Sequence, residues 1–311
     1  MKTDRRKFLR QSAKFGAAGL LLPVWACNNG NTNDTEADVE EIDANEQRAE
    51  AAGGTLDTFG IQLYTLRDVF PQDVKGTLRK VADYGYKQVE GYEADQGIFW
   101  GMEPQEFKDY LDELGLTMVS THCNIDQNFE QKAQQASSIG MDYLICPYIG
   151  AQPSKDAWQA VVDKFNQRGQ TCADNGLRFA YHNHGYSFEN VYGIVPQDFM
   201  MENTNDMVDY EMDIYWVVTG GADPVAYLNK YPGKWTLCHV KDRERDADLS
   251  ETEASVDLGT GSIDFAKVLS VAEDQGMEYY IVEQERYVDS TPLESAEVDA
   301  RYLQNLKFGN G

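Results

Sequence analysis

From Phe59 onward, short β-branched or aromatic runs alternate with amphipathic stretches of helical period, and the alternation repeats eight times. That pattern calls for parallel strands joined by covering helices and excludes both a sandwich and a helical bundle. The strand candidates are Phe59–Tyr64, Gln88–Tyr92, Thr117–His122, Tyr143–Pro147, Arg178–His184, Asp209–Asp213, Thr236–Lys241 and Tyr279–Glu285. Helical segments lie between them at Val74–Tyr84, Pro104–Leu114, Phe129–Ile139, Ala157–Asn175, Pro224–Lys230 and Phe265–Gln275, with a weaker pattern around Gln197–Glu202. Several stop at glycine, as in Tyr84-Gly85, Leu114-Gly115, Asn175-Gly176 and Gln275-Gly276, where a left-handed residue closes the last turn. An open doubly wound sheet has the same element count, but no Gly-x-Gly-x-x-Gly follows the first strand as its dinucleotide-binding form requires. We therefore expect an α/β fold, a single (β/α)8 TIM barrel over residues 57–311, close to the ~250 residues such a barrel needs.

The segment before the barrel has a different character. Residues 1–27 open with Asp4-Arg5-Arg6-Lys7-Phe8-Leu9-Arg10 and continue as a small, apolar run from Ala13 to Ala26. The paired arginines before Phe8-Leu9 resemble a twin-arginine export signal, and the apolar run is shorter than the ~20 residues of a spanning helix. Val24-Trp25-Ala26-Cys27 reads as a lipoprotein cleavage box that makes Cys27 the lipidated residue, although Trp25 stands where a small residue is usual. Residues 28–56 are rich in Asn, Thr, Glu, Asp, Ala and Gly, and read as a disordered acidic tether. The expectation is an exported, periplasmic or cell-envelope lipoprotein that meets the membrane only through its anchor.

A net charge of −25 argues against a nucleic-acid partner, because phosphate neutralisation needs a basic face that so acidic a chain has difficulty assembling. Cys123, Cys146, Cys172 and Cys238 have no close pair in sequence, and three of them sit in apolar runs, so buried free thiols are expected rather than a disulfide framework.

The chain has four histidines, His122, His182, His184 and His239, each at or beside the C-terminal end of a strand candidate. One strand histidine is ordinarily a satisfied core residue; four at one end of one barrel point to a site, because barrel chemistry gathers there. Period-two alternation puts Ala180, His182 and His184 on one face, and likewise Leu237, His239 and Lys241, Glu211 with Asp213, and Ile281, Glu283 and Glu285. Imidazoles and carboxylates converging in one mouth need compensation, which a divalent cation provides. Mixed nitrogen and oxygen ligands suit zinc, manganese, cobalt or iron better than magnesium or calcium.

Each position also has a structural alternative. Glu283 could form a rim ion pair with Lys241 or Arg286, Asp213 could cap a turn or helix before Ile214-Tyr215-Trp216, and Glu90 could be structural. Tyr64, Phe99, Trp100 and Trp216 are either core residues or a stacking wall for a sugar ring. Gly259-Thr260-Gly261 reads as a tight loop rather than a phosphate cradle.

Taken together, these stretches resemble the xylose isomerase-like barrel superfamily, in particular its sugar phosphate isomerase/epimerase branch. The matching segments are Ile61–Arg67, Gly85–Glu90, Tyr181-His182-Asn183-His184, Met212–Trp216, His239-Val240-Lys241-Asp242, Leu258–Asp264 and Ile281–Glu285. The resemblance implies one divalent ion, manganese, zinc or cobalt, held by Asp213, His239 and Glu283 with a fourth ligand on the fifth strand. There His182 stands where many relatives carry glutamate, and His184 competes for the place. It further implies removal of a proton next to a sugar carbonyl through an enediolate, with His122, His184 and Glu90 as candidate bases and Lys241 steadying the oxyanion. Tyr64, Trp216 and Glu285 are the candidate substrate contacts. Isomerisation, epimerisation and elimination share that first step. No arginine cluster is evident to hold a phosphate, so a free sugar, a keto-sugar or a keto-glycoside fits better, and an exported lyase or hydratase is the runner-up. A non-catalytic sugar-binding lipoprotein is the alternative of another class. An oligomer is compatible with the sequence.

Overall fold

The structure, a computed structural model, describes residues 54–309. The expected export signal with Cys27, and residues 28–53 of the expected tether, lie outside the described residues. Eight parallel strands close into a barrel: β1 (Gly60–Gln62), β2 (Gln88–Tyr92), β3 (Thr117–His122), β4 (Tyr143–Cys146), β5 (Arg178–His182), β6 (Val208–Asp213), β7 (Trp235–Val240) and β8 (Tyr279–Val282), with β8 paired to β1. Each strand lies where expected, but β1, β4, β5, β7 and β8 stop one to three residues sooner. Leu63–Leu66, for example, is a turn of 3-10 helix capped by the Gln62 side chain, which accepts from the Tyr64 N–H at 3.0 Å.

The helices are α1 (Val74–Asp83), α2 (Pro104–Leu114), α3 (Phe129–Ser138), α4 (Lys155–Asp174), α5 (Pro196–Asn203), α6 (Ile214–Thr219), α7 (Pro224–Lys230), α8 (Phe265–Asp274) and α9 (Pro292–Asn305). Helix α2 ends as the sequence requires, on Gly115 at φ 68°, which a residue with a Cβ adopts only at a cost. Gly54–Thr55, assigned from sequence to the tether, pair antiparallel with Lys307–Phe308, so these residues belong to the folded domain rather than to a linker ending at 56.

The large core lies between strands and helices. A smaller cluster fills the barrel lumen: Val119, Tyr143, Ile145, Ala180, Leu237 and Ile281, all at most 2% exposed. Ala180, Leu237 and Ile281 precede His182, His239 and Glu283 by two residues, so the same strand faces that fill the lumen carry polar groups one layer higher. Cys123, Cys146, Cys172 and Cys238 are all buried and unbridged, as expected. Among the described residues no helix is long and apolar enough to cross a membrane.

The Gly259–Gly261 loop is a tight loop, and its backbone donors are already taken. The buried Asp242 carboxylate accepts from the N–H groups of Gly259 (3.0 Å), Gly261 (2.9 Å), Ile263 (3.2 Å) and Arg243 (2.8 Å). A Cβ on Gly261 would lie 2.2 Å from Asp242 Oδ1 and 2.3 Å from the Arg243 carbonyl oxygen. Gly261→Ala is therefore expected to destabilise the barrel by about 1–3 kcal/mol through overpacking, read as a lowered melting temperature; an unchanged melting temperature would show that the loop yields freely.

Candidate active site

Strand register sets the site. It places His182 beside Glu211 across β5 and β6, Asp213 beside His239 across β6 and β7, and Gln62 beside Glu90 across β1 and β2. The result is two tiers of polar side chains above the lumen cluster.

The upper tier comprises His182, Asp213, His239 and Glu283, whose ligand atoms all lie within 4.8 Å of one another. His239 Nδ1 is 3.1 Å from Glu283 Oε2 and 3.8 Å from Asp213 Oδ2, and His182 Nε2 is 3.9 Å from Asp213 Oδ2. Asp213 serves two purposes. Its Oδ1 accepts from the Trp216 N–H at 2.8 Å and caps α6, while Oδ2 is buried without a hydrogen-bond partner. A carboxylate oxygen sealed from water beside two imidazoles is costly on its own and is the donor a divalent cation would satisfy. Two imidazoles with two carboxylates suit zinc, manganese or cobalt, so these residues fit such an ion. His184, the competing fifth-strand residue, belongs to no such group.

The lower tier is built on Glu90 and Glu211, both fully buried. Glu211 Oε2 lies 2.7 Å from His122 Nε2 and 3.1 Å from His182 Nδ1. Glu90 Oε1 lies 2.7 Å from His239 Nε2 and 3.2 Å from His122 Nε2, and Glu90 also accepts from Gln62 (2.7 Å) and Ser120 (2.5 Å). His122, His182, Glu211 and His239 form a second group able to hold a cation. Glu90, expected as a base, is sealed in this tier and does not line the pocket. Glu211 was legible as facing inward, two residues before Asp213, yet nothing in sequence gave it a partner.

Charges set the protonation states. Burial alone would lower His122, but the carboxylates of Glu90 and Glu211 outweigh it and raise its pKa above the ordinary value. His239 is likewise buried, yet is carried well above its ordinary value by Glu211 and Glu283. His184 goes the other way: burial, with the charges of His182 and Lys241, holds it well below. Burial would raise Glu283, but Lys241 and His239 hold it well below the usual carboxylate range.

Lys241 is fully buried and bonded to Glu283 at 3.2 Å and to Glu285, with Asp213 Oδ2 3.8 Å away. It lines a side cavity of about 440 Å³ with Arg67 and Arg286, beyond Trp216 and Glu285, rather than the main pocket. The structure thus brings together cations that are scattered in sequence, but Arg286 is paired with Glu244, and Arg67 donates to the carbonyl oxygens of Tyr64 and Glu285.

The main pocket, of about 700 Å³, opens over the upper tier. His122, His182, His184, Glu283, Glu285, Tyr64 and Trp216 line it as expected, joined by Tyr92, Glu93, Asp95, Asn124, Gln127 and Tyr148; no lysine or arginine is among them. His184 is held between aromatic rings, with Tyr148, Trp216 and Tyr186 centroids 5.1, 5.2 and 5.9 Å away, and its Nδ1 has no hydrogen-bond partner. Phe99 and Trp100 belong to the core, where they pack on Phe107 and on Phe70 and Tyr92.

Comparison with known proteins agrees with this geometry. The sequence profile of the xylose isomerase-like TIM barrel family matches residues 78–306. An inosose dehydratase of Clostridium beijerinckii is 25% identical over 313 aligned residues, covering 91% of this chain and 96% of that protein. A sugar phosphate isomerase/epimerase structure from Parabacteroides distasonis shares 26% identity at a TM-score of 0.69, over 81% of this chain and 95% of that one. A zinc-bound structure of the IolI protein has the same fold, at 16% identity and a TM-score of 0.66, over 78% of this chain and 95% of that one.

Proposed function

The chain belongs to the xylose isomerase-like TIM barrel family, and from that premise we propose that it is a divalent-metal-dependent lyase that removes water, or another leaving group, from a neutral keto-sugar. One observation carries this reading: the pocket over the upper tier is lined by three imidazoles, of which His122 and His184 lie in different surroundings, and by no lysine or arginine. A phosphorylated substrate would leave its charge there without a partner.

A divalent ion held by His182, Asp213, His239 and Glu283 would supply Lewis acidity, polarising the carbonyl. His184, which lines the pocket and is kept unprotonated by its burial, accepts the proton from the carbon next to that carbonyl. The electron pair left behind forms the carbon–carbon double bond and expels the hydroxyl on the following carbon. His122, whose Nε2 is engaged by Glu211 and Glu90, donates a proton to that hydroxyl, which departs as water. Trp216 and Tyr64 pack against the ring, and Glu285 and Asn124 bind its hydroxyls. The dehydratases among the curated relatives support elimination. The Parabacteroides structure supports isomerisation or epimerisation as the second reading, in which the proton returns to carbon.

The test is incubation of the metal-loaded protein with inosose and with other neutral keto-sugars in deuterium oxide. We expect exchange at the carbon beside the carbonyl together with loss of water; exchange without loss would favour the second reading, and no exchange with any keto-sugar would leave a binding protein. The base assignment has its own signature. A His184 held below its ordinary value stays unprotonated in weak acid, so the acidic limb of the kcat/KM profile should fall below pH ~6.5, the ordinary histidine value. Were His122 the base, the limb would lie above that value. We also propose that the protein is exported and anchored through Cys27, which mass spectrometry of the mature N-terminus would test.

A further inference from the structure

The two histidines of the upper tier each show two faces, and the lower tier meets the rear one. His182 turns Nε2 toward Asp213 and Nδ1 toward Glu211, at 3.1 Å. His239 turns Nδ1 toward Asp213 and Glu283 and Nε2 toward Glu90, at 2.7 Å. A neutral imidazole carries one proton, so the nitrogen that donates fixes which one is left with a lone pair. Building on the metal site just proposed, we infer that Glu211 and Glu90 are positioning residues, each keeping the proton on the rear nitrogen of one metal-binding histidine.

The rings must then differ: His182 binds through Nε2 with Nδ1–H donated to Glu211, and His239 binds through Nδ1 with Nε2–H donated to Glu90. Opposite tautomers at neighbouring positions are not something two isolated histidines would adopt; the buried carboxylates impose them. Glu90 is itself fixed by Gln62 and Ser120, so it cannot swing away. The same atoms exclude a competing arrangement. A cation in the lower group of His122, His182, Glu211 and His239 would need lone pairs on the rear nitrogens, which in this arrangement carry the protons donated to these carboxylates. Glu211 supplies its carboxylate at the register position on β6 directly beside His182.

The chain has only four histidines, so the assignment can be read directly. The full chain, labelled with 15N at histidine and loaded with Zn²⁺, is examined by long-range 1H–15N correlation, with each signal assigned by a single histidine substitution. We expect one metal-bound ring protonated at Nδ1, lost in the His182 variant, and one protonated at Nε2, lost in the His239 variant. Glu211→Gln and Glu90→Gln should each weaken zinc binding about 10–100-fold, measured by chelator competition. Zinc on the rear nitrogens would overturn the inference, as would both variants binding zinc as tightly as the wild type. The wild-type spectrum decides the matter even if a variant does not fold. Failure of the wild type to bind zinc would overturn the metal reading and this inference together.

Discussion

Asp213→Asn should weaken binding of the divalent ion by at least about a hundredfold and cut turnover on the order of a thousandfold, the several kcal/mol a Lewis acid supplies, while leaving the fold intact. The separation is possible because the two oxygens of Asp213 have different tasks. Oδ1 caps α6 through the Trp216 N–H, and asparagine caps a helix about as well as aspartate. Oδ2 has no hydrogen-bond partner and faces His182, His239 and Lys241, so it is the oxygen that losing the charge disables. The measurement is metal content and melting temperature on the same sample. A variant that keeps its metal would reduce Asp213 to a helix cap; one that unfolds would show that the charge matters to the barrel itself.

Lys241→Met should have the largest effect on stability. The lysine is wholly buried and lies within ion-pair distance of Asp213, Glu283 and Glu285. Burial favours its neutral form, yet the three carboxylates raise its pKa above the ordinary lysine value. Removing one partner of a buried ionic group leaves the others uncompensated, at a cost of about 3–5 kcal/mol, or on the order of 10 °C in melting temperature for a barrel of this size. The sign of the pH dependence follows. With Lys241 present, Glu283 is held below the ordinary carboxylate range, so its contribution is present above that range and is lost as pH falls through its folded pKa. Without the lysine, the carboxylates gain by taking up protons, so the deficit of the variant in metal-free buffer should shrink toward pH 5. A deficit independent of pH would point instead to the lost contact of the Lys241 ammonium with the rings of Tyr215 and Trp216, whose centroids lie 5.0 and 5.5 Å from Nζ.

The sequence carried the barrel because each strand and helix announces itself locally, by alternation, by apolar period and by a stop. It carried the upper tier because a period of two transfers along a strand: Ala180, Leu237 and Ile281 in the lumen put His182, His239 and Glu283 in the mouth. Three things were less legible. Helix α6 is six residues long and buried on most sides, so it shows no amphipathic period. Helix α9 went unread, although Thr291 and Glu294 form a complete capping box and Pro292 follows the cap. The lower tier depends on register between strands distant in sequence: Glu90 meets His239 across the lumen, 149 positions away, and no periodicity encodes that. Strand ends were overdrawn at His184, Lys241 and Glu285 because the mouth of a barrel keeps its inward-facing residues after the ladder has ended. Phe99 and Trp100 could not be told from pocket residues, since an aromatic side chain serves a core and a sugar face equally well.

The antiparallel pairing of Gly54–Thr55 with Lys307–Phe308 has a practical consequence. It ties the two ends of the described chain together beside the N-terminal edge of the strands, whereas the pocket opens at the other edge. The barrel can therefore be immobilised or fused through either end with its mouth left open to solution, and a short linker across that clasp would allow circular permutation with new termini cut elsewhere.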